Sequence, residues 1–82
     1  MNTDEIKSLI QNGLLTSFVN VVGDGTHFEA IIVSDEFADK MLIDRHKLVY
    51  SALGDAMKEA IHALSMKTYT QDQWENIQQK GA

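Results

Sequence analysis

The sequence predicts one small α+β domain over residues 1–82, with elements in the order αββααβα and a three-stranded mixed sheet carrying its helices on one face. Three observations lead there. Two β-rich runs, SFVNVVG and THFEAIIVS, flank Gly23, Asp24 and Gly25, residues that tolerate the positive φ of a tight hairpin turn. Apolar residues then recur at helical spacing from Leu42 to about Ala60. A third strand-like run, Ala63 to Tyr69, follows two helical segments, and such a crossover favours parallel pairing with the second strand.

Taken in order, Thr3 followed by Asp4 and Glu5 reads as a helix start, because a hydroxyl cap and early acids suit the exposed N–H groups. Ile6, Leu9 and Ile10 share a face, and Gly13 reads as the stop, so this helix covers roughly residues 3 to 12. In the second strand of the hairpin, His27, Glu29 and Ile31 point one way and Phe28, Ala30 and Ile32 the other. Ser34-Asp35-Glu36 opens another helical segment into FADKM. The long helix carries the stripe Leu42, His46, Val49, Leu53, Ala56 and Ala60, with Asp44, Arg45, Lys47, Lys58 and Glu59 largely off it. Gly54 sits within that stripe, as a close-packing position or a weak point. Thr70 with Gln73 is a capping-box pattern, so a last helix follows, with Trp74 and Ile77 packing back.

Composition narrows the function. The net charge is −5, from 7 basic and 12 acidic residues, which opposes sequence-independent binding to nucleic acid phosphates. With no cysteine, the chain has no thiolate ligand or nucleophile of its own. No apolar run approaches the roughly 20 residues of a membrane span, and MNTDEIKS is acidic where a signal peptide would be basic, so a cytoplasmic protein is expected. No GxSxG, HExxH, GxGxxG or GxxxxGK[ST] motif occurs, so neither an enzyme nor a small-molecule substrate is expected. Asp24 with His27 would make an acid–base pair of low specificity.

Three histidines are the side chains that titrate near neutral pH. His46, on the apolar stripe, reads as a partly buried helix residue. His27 follows a glycine-rich turn, where a scaffold presents side chains rather than buries them. His62, in EAIHALSMKTYT, lies where helix passes into strand; pattern favours a packed residue and leaves a ligand role open. Arg45, His46 and Lys47 in LIDRHKLVY are the candidate nucleic-acid contacts, although consecutive helix residues point in different directions.

LIDRHKLVYSAL followed by IHALSMKTYT closely resembles the BolA family in its short bacterial IbaG-like form. VVGDGTHFEAIIVSDEF resembles the same family's hairpin and the turn after it, and the resemblance covers nearly the whole chain. It implies a fold like that of class II KH domains. It also implies a partner, a monothiol glutaredoxin, and a [2Fe–2S] cluster shared with that partner and glutathione, with no cofactor bound alone. The family's C-terminal ligand matches His62, and the variable ligand of the first interstrand loop is best matched by His27. A homodimer and DNA are further candidate partners of the family. The loop around residues 37–41 has no glycine pair and carries Asp39, so RNA clamping of the KH type is not expected. Ligation requires neutral imidazole, so cluster binding is expected to weaken as pH falls through the histidine range.

Overall fold

A computed structural model describes residues 2–58 and 63–80. Helix α1 (Thr3–Gly13) leads to the hairpin β1 (Phe18–Gly23) and β2 (Phe28–Val33), then a 3-10 turn at Asp35–Phe37. Helix α2 (Leu42–Leu53) runs into a second 3-10 turn at Gly54–Met57, followed by β3 (Leu64–Tyr69) and α3 (Gln71–Lys80). The strand order is β1-β2-β3, with β1 and β2 antiparallel and β2 and β3 parallel. The mixed sheet is the one expected from the sequence. Among the described residues no helix is long and apolar enough to cross a membrane.

Alternation decides which side chains enter the core. Register aligns Val19, Ile32 and Thr68 across the sheet, and Val21, Ala30 and Met66 beside them. This face is buried beneath Ile6 and Ile10 of α1 and Val49 and Leu53 of α2. Contact with the sheet thus explains why α1 and α2 keep apolar residues on one side. The opposite face displays Asn20, Ile31 and Lys67, and only its far end is covered. There Trp74 of α3 stacks on Phe18 at 5.2 Å and lies 5.6 Å from Tyr69. Helices α1 and α2 therefore occupy one face, as expected, while α3 closes one end of the other.

Several local readings change. The cap of α1 is Asn2 rather than Thr3, its Oδ1 accepting from Glu5 N–H at 2.8 Å. Helix α1 continues through Gly13, which serves packing rather than termination: a Cβ there would lie 2.5 Å from the Ala52 Cβ. Helix α2 ends at Leu53, because Gly54 adopts a left-handed φ of 59° that stops the helical ladder. Leu42 and Ala56 of the supposed stripe are exposed, and Ala60 lies outside the described residues. The capping box of α3 forms as read, with Gln73 N–H donating to Thr70 Oγ1 at 3.2 Å and Thr70 N–H to Gln73 Oε1 at 2.9 Å. Ile77, however, remains 43% exposed.

Candidate functional site

The β1–β2 turn is built around one carboxylate. Asp24 Oδ1 accepts from the backbone N–H groups of Thr26 and His27, both at 2.9 Å, and from the Thr26 hydroxyl at 2.8 Å. Aspartate is favoured in turns because its short side chain can take up N–H groups two residues on. Gly25 supplies a left-handed φ of 97°. The three bonds hold the Asp24 carboxyl well below the usual carboxylate range, with the His27 N–H the largest cause and the Thr26 groups next. Gly23 closes the turn against the sheet, since a Cβ there would sit 2.6 Å from the His27 carbonyl oxygen and 2.5 Å from the Phe28 ring.

His27 stands exposed on this turn, its Nδ1 3.4 Å from Thr26 Oγ1. Asp24 therefore binds the backbone of His27 rather than its ring, and an acid–base pair between the two side chains is not formed. Residue 27 precedes buried Phe28, so alternation directs it to the side of Glu29 and Ile31. A shallow groove on that uncovered side is lined by Asn20, Val22, Glu29, Ile31, Ser65 and Lys67 among others.

His62 lies outside the described residues. What is described is its approach: Phe28 pairs with Leu64 in the parallel register, so β2 and β3 begin side by side. His27 directly precedes the first of these residues, and Ala63 directly precedes the second. Among the described residues no group of three or more histidine and carboxylate side chains gathers as a metal site.

The trio on α2 does not form one surface. Arg45, expected on the exposed side, is only 8% exposed. Its Nε donates to Lys40 O at 3.1 Å, and its Nη1 donates to Thr68 O at 3.1 Å and Gln73 Oε1 at 2.9 Å. The guanidinium also lies 5.8 Å from the centre of the buried Phe37 ring. Arg45 ties α2 to β3 and α3, and its Nε and Nη1 reach a phosphate only by surrendering those bonds. His46 is half-buried, edge-on to Tyr50 at 6.5 Å, and Lys47 is exposed. The inward turn of Arg45 is absent from the helical pattern, which treats arginine as a surface residue. The Asp24–Thr26 pairing was also missed, although D-x-T after a strand carries the turn chemistry that would find it.

The BolA-like protein family matches residues 12–73. The chain belongs to the BolA family. Among BolA-family structures, a bolA protein homologue from Coxiella burnetii is 47% identical, with a TM-score of 0.80 over 92% of this chain and 97% of that one. The acid stress protein IbaG of Escherichia coli is 36% identical over 75 residues, covering 90% of this chain and 89% of that protein. The E. coli DNA-binding transcriptional regulator BolA is 38% identical over 56 residues, or 68% of this chain, and the match spans 53% of that regulator's length. The fold implied by the sequence resemblance is thus a BolA-family fold, and the chain is similar along most of its length to the short IbaG form.

Proposed function

We propose that this chain is a non-enzymatic adaptor that pairs with a monothiol glutaredoxin and co-ligates a [2Fe–2S] cluster through His27 and His62. The observation that carries the reading is the parallel register of β2 and β3, which starts the two strands next to each other with His27 at the head of one. An exposed imidazole on a turn held by its own backbone suits a terminal ligand, because the ring has no competing role in the core. Two imidazoles can replace two thiolates on one iron of such a cluster, and this raises its reduction potential. A chain without cysteine then depends on thiolates from its partner and from glutathione for the other iron.

The experiment is co-purification with a monothiol glutaredoxin, followed by visible absorption and circular dichroism of the complex. Cluster bands are expected with the natural chain and are lost in His62→Ala and His27→Ala. A colourless complex, or bands that survive both substitutions, overturns the reading. Bands that weaken between about pH 8 and 5 would link the site to acid stress, the role in the name of the IbaG relative.

DNA binding is the second reading, favoured by the name of the E. coli BolA relative. With Arg45 turned inward, it rests on Lys47 and the half-buried His46. Lys47→Ala should then weaken DNA binding and flatten its salt dependence, because one phosphate contact fewer releases fewer counterions. A salt slope unchanged by Lys47→Ala removes this reading.

A further inference from the structure

We propose that Thr26, oriented by Asp24, holds His27 in the Nδ1–H tautomer and thereby makes Nε2 the atom His27 offers to a metal. The inference rests on the reading of His27 as a ligand and adds the identity of the donor atom and of the two residues that select it.

A threonine hydroxyl has one hydrogen to donate and two lone pairs with which to accept. Two acceptors compete for the Thr26 hydrogen: Asp24 Oδ1 at 2.8 Å and, were it unprotonated, His27 Nδ1 at 3.4 Å. The carboxylate wins on both counts, since it is the nearer group and carries the charge that makes such a bond stronger. With its hydrogen committed to Asp24, Thr26 Oγ1 faces His27 Nδ1 with lone pairs only. A lone pair opposite the lone pair of an unprotonated Nδ1 would be repulsive, whereas an Nδ1–H completes the chain His27 to Thr26 to Asp24. A neutral imidazole has one proton, so Nε2 is left bare.

The backbone supports the same outcome. The two N–H bonds to Asp24 fix the peptide units of Thr26 and His27, so the two side chains start from a set geometry. The selected tautomer is the reverse of the one that predominates in a free histidine side chain, where Nε2 carries the proton. In metal sites the ring nitrogen not bound to metal is commonly held by an oxygen acceptor that sets ring orientation and basicity. Here Thr26 takes that position before any metal arrives. Asp24 and Thr26 are positioning residues; neither is itself a ligand in this proposal.

The test reads the protonation of each ring nitrogen in the full, metal-free chain, by long-range proton–nitrogen NMR on nitrogen-15-labelled protein at about pH 8.5, where histidine is neutral. His27 is expected to show Nδ1 as the protonated nitrogen and Nε2 as the unprotonated one. Thr26→Val should shift His27 to the Nε2–H form, and Thr26→Ser, which keeps the hydroxyl, should restore the original pattern. Thr26 is exposed, and unchanged amide shifts outside the turn would verify that each variant is folded. A natural chain with Nε2 protonated, or a Thr26→Val variant with the tautomer unmoved, overturns the proposal. The cluster bands of the glutaredoxin complex report separately on ligation. Bands that require His27 in a chain whose Nε2 carries the proton would leave ligation standing and remove the relay.

Discussion

At the Arg45 corner a buried cation gathers acceptors from the Lys40 loop, from β3 and from α3; at the His27 turn an exposed carboxylate gathers donors from two adjacent residues. Each charged group makes three bonds, but the bonds have different reach. Two of those of Arg45 join segments 23 and 28 residues apart in sequence, so they hold tertiary structure together. Those of Asp24 span two or three residues, so they shape a turn and leave the rest of the domain indifferent to it. The difference explains why a basic residue on the long helix is architectural while a histidine on a surface loop is free to act.

Substitutions can break that contrast, and the largest effect belongs at the arginine corner. Phe37 is fully buried beneath the guanidinium, and Phe37→Ala should cost about 4 kcal/mol, measured by urea unfolding. Arg45→Ala should cost on the order of 3 kcal/mol, since it removes charge-assisted bonds and leaves the Thr68 carbonyl without that donor. A loss below about 0.5 kcal/mol would mean that Arg45 is an ordinary surface residue after all. Thr68→Val should act in the opposite direction. The Thr68 hydroxyl is buried and has no hydrogen-bond partner among the described residues, so an isosteric apolar replacement should raise stability by about 1 kcal/mol.

Effects at the turn should be smaller and should depend on pH. Because the Asp24 carboxyl titrates below its unfolded value, its contribution is present above the unfolded pKa near 4 and is lost as pH falls toward the folded one. The Tm gap between the natural chain and Asp24→Ala should therefore be constant above about pH 5 and narrow below about pH 4. A gap independent of pH down to about 2 would show that the carboxylate charge is not what holds the turn. The smallest stability change is expected for His27→Ala, within about 0.5 kcal/mol by urea unfolding, while its cluster bands disappear. A large destabilisation there would make His27 a structural residue.

Periodicity carried the fold because the driving force, burial of one face of each element, leaves a pattern in the chain. Phe28, Ala30 and Ile32 share one side as the alternation reads, and that side is the buried one, while the Thr70–Gln73 box marked the start of α3. Readings failed where three-dimensional neighbours decide. Gly13 looks like a stop until Ala52 stands against it, and Arg45 looks solvated until β3 and α3 surround it. At the candidate site the exposure of His27 was legible from its glycine-rich turn. The tautomer-setting contact was not, because it depends on which of two acceptors lies nearer a single hydroxyl. The proposed pairing of His27 with His62 rests on family resemblance, and His62 itself lies outside the described residues.

The bond from Arg45 to the Thr68 carbonyl has a consequence for how copies of the molecule behave in crowded solution. Strand β3 ends the sheet, and Tyr69 O accepts from Ser34 N on the inner side, so by alternation the Thr68 carbonyl faces outward. An outward carbonyl on a terminal strand is a template for adding another chain, the first step toward fibrils. With Arg45 donating to it, that carbonyl pairs with an added strand only by giving up a bond to α2, so at this position the blunting of the edge is tied to a helix rather than to surface charge.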